Sequence, residues 1–266
     1  MYPHMNAFGR VFSSFGLMAL LAFLTGGLLT YLLAKKKGQI RADEALMAGL
    51  IAICGGVAGA FLLRPVIGLF EVLFNWQQFR DYPLDLLVGR FFGEIIFYGG
   101  LIGGLIATLL YCARFQISLL PLLDLFAPTV ALAHGIGRIG CLLAGCCYGI
   151  EVRAGHVLAI RYPLYSLGAP PDVPLLAVPL IEATLLACLS LLLAIVYVKS
   201  RRAGLSAGLY LLLYPAMRFI LEFFRGDVVR GGFGSFSTSQ LLSLALFCLG
   251  IFFFVHRRGH QSNPIS

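Results

Sequence analysis

Residues 133–149 read AHGIGRIGCLLAGCCYG: one arginine and three cysteines in a glycine-rich stretch that is otherwise apolar. What this stretch means depends on its solvent, and the surrounding chain answers that. The 266 residues are 59% hydrophobic and 12% charged, with a mean hydropathy of +0.90. Soluble domains carry about 25% charged residues, so the expected solvent is lipid. Apolar runs of about 20 residues recur along the whole length, as membrane helices require. No separate soluble domain is long enough to stand alone, so residues 1–266 are expected to form a single membrane domain.

Seven helical segments can be drawn, at roughly 12–34, 45–69, 94–113, 119–137, 175–198, 205–224 and 235–256. The fold class is therefore all-α, a polytopic integral membrane protein of about seven transmembrane helices. The first run, Phe12 to Leu33, is too long for the apolar core of a signal peptide, lacks a basic leader and precedes a lysine cluster, so it reads as a retained span. The fourth segment is weak, because Pro121, Asp124 and Pro128 interrupt it, and a short or re-entrant span is expected there.

Basic residues set the orientation. KKKGQIR (35–41), Arg114, KSRR (199–202) and HRR (256–258) follow spans one, three, five and seven, so all lie on one side. The positive-inside rule makes that side cytoplasmic, with the N-terminus out and the C-terminus in. The net charge of +8 is accounted for by these topogenic residues, and no nucleic-acid partner is expected. Segments 70–93, 138–174 and 225–234 then face outward. The first reads as an interfacial helix or arm. Within the second, residues 150–174 end in SLGAPPDVP, a proline-rich loop that cannot be helical.

Against that frame Arg138 is anomalous, since a guanidinium at membrane depth costs several kcal/mol unless it is paired or faces water. The flanking Gly137 and Gly140, with Gly135, Gly145 and Gly149, allow a ligand or a second backbone close by. Arginine beside exposed backbone N–H groups suits a phosphate. A second constellation, YPAMRFILEFFRGD (214–227), spaces Arg218, Glu222 and Arg225 at i, i+4 and i+7, on one helix face. It reads either as a structural ion network or as the wall of a polar cavity. Were Arg138 to face the same cavity, that cavity would be strongly cationic and suited to an anionic lipid headgroup. In FYGGLIGGLIA (97–107), Gly99 and Gly103, with Gly100 and Gly104, form the small-xxx-small pattern of close helix packing. Tyr98 beside them is an interfacial anchor or a hydroxyl in the cavity.

Cys141, Cys146 and Cys147 read as packing residues, a Cys141–Cys146 disulfide in an oxidising compartment, or a thiolate activated by Arg138. Zinc sites pair one C-x2-C with another, which is missing here, so no metal and no cofactor are expected. Cys54, Cys112, Cys188 and Cys248 sit in apolar runs as small packing groups. His134, four residues before Arg138, is the histidine placed to act as a base in the suspected cavity, or else a hydrogen-bonding structural group.

Taken together, these elements resemble the prolipoprotein diacylglyceryl transferase family of bacterial inner membranes. SSFGLM (13–18) is similar to its first-span element, Gly55-Gly56 to its second-span glycine pair, and YGGLIGG (98–104) to its His-Gly-Gly-Leu element. GIGRIGCLLAGCCYG resembles the signature Gly-Arg-x-Gly-Asn-Phe-x-Asn-Gly-Glu, and YPAMRFILEFFRGD the closing Arg-x-x-x-Glu-Phe-x-Arg-x-x-Asp. The resemblance implies a seven-span fold with the active site toward the outer face. It also implies an activity, transfer of the diacylglyceryl group of phosphatidylglycerol to the lipobox cysteine of a preprolipoprotein, with release of glycerol phosphate. Arg138, Arg218, Glu222 and Arg225 carry over as phosphate-handling residues, with Glu182 a looser match in the fifth span, and Gly99, Gly100, Gly137, Gly140, Cys141 and Cys146 are expected beside Glu222 and Arg225 at the substrate-binding positions. The chain departs from the family where Tyr98 replaces a histidine, Cys141 and Ala144 replace asparagines, Cys146 replaces a glutamate and Val57 an arginine. His134 stands where the family often has glutamine and is the expected substitute base, with Tyr98 the other. Two further readings are a lipid or acyl transferase with Cys146 or Cys147 as nucleophile, and a non-catalytic phospholipid-binding membrane protein.

Overall fold

The computed structural model describes residues 4–7, 10–74, 97–227, 232–233 and 236–260. Among these are seven α-helices: α1 (Ser14–Lys37), α2 (Ala42–Phe74), α3 (Phe97–Phe115), α4 (Leu119–Ala144), α5 (Val178–Lys199), α6 (Leu205–Glu222) and α7 (Thr238–His260). Five of them (α1, α2, α4, α5 and α6) are long and apolar enough to cross a membrane, and α3 and α7 contain shorter apolar stretches. The protein is an all-α, polytopic membrane protein. Its outward surfaces agree with lipid as solvent: Leu20, Leu24 and Leu28, one stripe of α1, are 55–59% exposed, and Leu191 of α5 is 65% exposed.

Six short strands form three two-stranded antiparallel pieces: β1 (His4–Ala7) with β2 (Arg10–Ser13), β3 (Ala159–Ile160) with β4 (Leu175–Leu176), and β5 (Gly232–Phe233) with β6 (Phe236–Ser237). The proline-rich segment after residue 150 is indeed not helical. Of the outward arm expected at 70–93, the first residues continue α2 as far as Phe74, and the remainder falls outside the described residues.

The helices fall into two compact units. Residues 38–122 form one, dominated by α2 against α3. A Cβ placed on Gly59 or Gly99 would run into the facing helix's backbone carbonyl, and Gly55 and Gly103 are equally tight. Bare glycine faces therefore bring the two backbones together, as small-xxx-small packing does in lipid.

Residues 1–37 and 123–266 form the other unit. Its core joins α4, α5 and α6: Ala127 and Ala131 of α4 meet Leu186, Leu189 and Leu193 of α5, with Leu209, Tyr210, Tyr214 and Met217 of α6 packed against them. The expectation of a short or re-entrant fourth span is corrected here, because α4 is a continuous 26-residue helix running through the glycine-rich stretch. Pro121 lies in its first turn, where the missing N–H has no intrahelical acceptor to lose. The Pro128 carbonyl accepts a 2.7 Å bond from Ser190 Oγ of α5. Asp124 faces inward at 2% exposure and accepts hydrogen bonds from the Gly204 and Ala207 backbone N–H groups, the latter at 2.9 Å. It thus caps the N-terminus of α6 from a distant helix.

At this same end Lys37 stands over the Tyr197 ring at 4.3 Å, joining the C-terminal ends of α1 and α5. The basic clusters after spans one and five therefore share one end of this unit. Arg138 lies 14 residues along α4 from Asp124, about 21 Å away at 1.5 Å per residue. It marks the opposite end.

Candidate active site

Gly135 governs how α4 meets α5. A Cβ there would stand 3.2 Å from the Ala183 carbonyl oxygen and 3.3 Å from Leu186 Cβ. That close approach lays the next turn of α4 against the start of α5, and Arg138 Nη2 comes within 3.0 Å of Glu182 Oε1. Glu182 is 1% exposed, and beyond this ion pair neither of its oxygens has a hydrogen-bond partner among the described residues. His134, one turn earlier on the same face, puts Nε2 4.0 Å from Glu182 Oε1 and sets its ring edge-on to Tyr214, centroids 5.1 Å apart. Tyr214 also stacks on Tyr210, ring centroids 5.5 Å apart. Glu182 is the residue that spacing undervalued. Its signal was a single carboxylate in a 22-residue helix of otherwise apolar and small polar residues up to its terminal lysine.

On α6, Arg218 Nη2 pairs with Glu222 Oε2 at 2.7 Å, and Glu222 Oε1 accepts from Ser237 Oγ at 2.8 Å. The expected single-face stripe ends there. The helix stops at Glu222, and Phe223 caps it with helical dihedrals. Arg225 therefore leaves the α6 face that i+7 spacing assigned to it. It is held by the loop instead, with Ile150 N–H donating to the Phe224 carbonyl at 2.9 Å and Gly226 N–H to the Tyr148 carbonyl at 3.1 Å. Its guanidinium donates to Asp227 at 2.7 and 2.8 Å. Burial opposes its charge, but the bonds to Asp227 and Cys147 carry its pKa above the ordinary arginine value.

The expectation of a strongly cationic cavity needs correcting on these contacts. Arg138, Arg218 and Arg225 are each matched by a carboxylate, from Glu182, Glu222 and Asp227. Among the described residues, the buried atoms of this cluster without a hydrogen-bond partner are the donors Arg138 Nε, Arg218 Nη1 and Arg225 Nη1 and the carboxylate oxygens Glu182 Oε1, Glu182 Oε2 and Glu222 Oε2. Unpaired buried donors on guanidinium groups are costly and call for an acceptor of opposite charge. Arg138 and Arg218 are also close enough to Glu182 to share its field.

The three cysteines gather beside Arg138. Cys141 is seven residues after His134 and continues the same α4 stripe. Its carbonyl accepts from the N–H groups of Gly145 and Cys146, at 3.1 and 3.2 Å, which closes α4 and turns the chain back. Gly145 and Cys147 take left-handed dihedrals, φ 77° and 59°. The three sulfurs then lie within 4.8 Å of one another, with no disulfide between any pair. Thiol donation from Cys141 and Cys146, reinforced by Arg225, holds Cys147 below the ordinary thiol range, while Cys146, hydrogen-bonded to Cys141 and Cys147, is held above it. Burial, and then the three thiols, push the Tyr162 hydroxyl up to about 12.

Of the other residues named from sequence, Gly140 packs on Phe15 and Met18 of α1, while nothing lies within 4 Å of a Cβ placed on Gly137. Gly99 and Gly100 belong to the α2–α3 contact. Tyr98 lies on α3, and its side chain is outside the described residues.

The family model for prolipoprotein diacylglyceryl transferase matches residues 5–256. The chain is 34% identical over 248 residues to a phosphatidylglycerol–prolipoprotein diacylglyceryl transferase of Clostridium tetani, covering 93% of this chain and 94% of that protein. A Clostridium perfringens protein so named, with the suffix 2, is 33% identical over 92% of this chain and 90% of its own length. One from Gloeobacter violaceus is 32% identical over 94% and 91%. With the helical membrane fold and the arginine–carboxylate cluster joining α4, α5 and α6, these matches establish that the chain is a transferase and belongs to the prolipoprotein diacylglyceryl transferase family.

Proposed function

We propose that the chain transfers the diacylglyceryl group of phosphatidylglycerol to a thiol acceptor, the lipobox cysteine of a preprolipoprotein, at the outer face of the bacterial inner membrane. The observation that carries this reading is the set of buried donors on Arg138, Arg218 and Arg225 that have no hydrogen-bond partner among the described residues. With the three charges already matched by carboxylates, the cluster favours a ligand that brings several acceptor oxygens more than one that brings charge alone. A phosphodiester headgroup does both. The acceptor sulfur attacks the glyceryl carbon and the carbon–oxygen bond to phosphate breaks. A thioether forms, and glycerol phosphate leaves with the electron pair. Arg138 and Arg218 stabilise the charge gathering on the departing phosphoryl oxygen, with Glu182 and Glu222 holding their guanidinium groups in place. His134 takes the proton of the acceptor thiol, oriented by Tyr214 and Glu182.

The opposite placement of the basic end and the arginine cluster within one unit supports an outward-facing site, with the N-terminus out and the C-terminus in. The test is transfer from labelled phosphatidylglycerol to a lipobox peptide by purified protein. Arg218→Ala and Arg138→Ala are each expected to abolish product. Full activity in both would overturn the phosphate-binding role. Complementation of a strain depleted of its own transferase tests the acceptor, since rescue requires lipoprotein modification.

A further inference from the structure

The transfer reaction makes no use of three sulfurs held together. The sequence spacing lacks the second cysteine pair that a zinc centre ordinarily needs, yet the fold closes a triad of another kind. One ligand, Cys141, comes from the last turn of α4, and the other two come from the turn that caps it. Two left-handed residues make that turn, and one of them is Cys147 itself. Non-glycine residues adopt this conformation at a cost of about 1–3 kcal/mol and do so mainly where surroundings impose it. Here the imposed backbone accompanies a convergence of the three sulfurs to within 4.8 Å.

We propose that Cys141, Cys146 and Cys147 form a trigonal thiolate site for a soft monovalent cation, copper(I) in class. With metal–sulfur bonds of roughly 2.3 Å, as in zinc thiolates, three sulfurs around one ion sit about 4.0 Å apart. Each sulfur therefore needs to shift by less than an ångström or so. Among the described residues no histidine or carboxylate joins the triad, so it offers three sulfurs and no fourth protein ligand. Structural zinc takes four protein ligands, one more than this set offers, whereas copper(I) is selected by soft thiolates and accepts three of them. The Arg225 guanidinium, fixed by Asp227, places its positive charge beside Cys147, the kind of outer support that stabilises a ligand's anionic form. Binding displaces the thiol protons to solvent as the sulfur–metal bonds form, with no change in oxidation state.

The experiment titrates copper(I), buffered by a chromophoric competitor, into reduced full-length protein in detergent. One copper(I) per chain is expected, with X-ray absorption reporting three sulfur neighbours. The triple variant C141S/C146S/C147S is expected to leave the competitor's copper untouched, and Arg225→Ala to weaken binding roughly 10- to 100-fold. Because the triple variant can fail through misfolding, the converse variant C54S/C112S/C188S/C248S serves as the second arm. It is expected to keep the full stoichiometry and all three sulfurs. Absent one-to-one binding in the unaltered protein, binding retained by a folded triple variant, or fewer than three sulfurs in the converse variant each overturns the site. Zinc(II) displacing copper(I) at equal concentration overturns the choice of metal. None of these readouts depends on lipid transfer, so their failure leaves the proposed activity standing.

Discussion

Arg138→Ala should damage the protein twice, and the two injuries can be separated. Glu182 is 1% exposed and lies 3.0 Å from the Arg138 guanidinium. Removing one partner of a buried ion pair typically costs about 3–5 kcal/mol, since the survivor is left charged in a poorly solvated place. The same substitution deletes the Nε donor that we assign to the headgroup. A hydrogen bond to a charged group is worth about 1.5–3 kcal/mol, or roughly 10- to 150-fold in kcat/KM for that bond alone. Adding Glu182→Gln removes the stranded charge without restoring the donor. Thermal unfolding in detergent should show Arg138→Ala strongly destabilised and the double variant R138A/E182Q largely recovered. Transfer from labelled phosphatidylglycerol should remain depressed by at least an order of magnitude in both. If the double variant regains kcat/KM together with stability, Arg138 acts on the fold and not on the phosphate, and the reasoning fails.

Further outcomes are expected from four other variants. His134→Ala should lower the rate of transfer by roughly 10²- to 10⁴-fold, the range for loss of a general base. Tyr98→Phe should leave the rate near normal, and a reversed pair of results would move the base to α3. Asp124→Ala, which leaves two N–H groups at the start of α6 without their acceptor, should lower unfolding stability by about 2 kcal/mol, while transfer assayed well below the melting temperature is retained. For Tyr162 the folded pKa of about 12 lies above the ordinary 10. The stability linked to its proton is therefore complete below pH 10 and is lost as pH rises through about 12. The part of that loss that falls between pH 8 and 11, about 1.4 kcal/mol, should be missing in Tyr162→Phe when unfolding is compared across that interval. Parallel alkaline curves would show that the hydroxyl is not held in its neutral form.

Local composition was enough to locate the helices, because a bilayer demands about 20 apolar residues per span and every backbone group must be satisfied within it. All seven expected segments overlap a helix, and the largest error concerns α4. There Pro121, Asp124 and Pro128 look disruptive only while their partners are unknown. Asp124 accepts from residues 80 and 83 positions away, and the Pro128 carbonyl accepts from a serine 62 positions away. The site divides in the same manner. Arg138, Arg218 and Glu222 announced themselves as charges in apolar company, and the intrahelical pair follows from i, i+4 spacing alone. That Glu182 would neutralise Arg138, that Arg225 would leave the helix for Asp227, and that three cysteines would converge at one point could not be read from spacing. Each depends on how close two backbones come or on where a helix stops. Sequence by itself determined a membrane-spanning helical protein with an arginine signature, since hydropathy and charge are properties of single residues and short windows. Only the tertiary structure decided which carboxylate meets which arginine and which donors stay unpaired, since ion pairing across helices is settled by packing, through contacts such as Gly135 against Ala183.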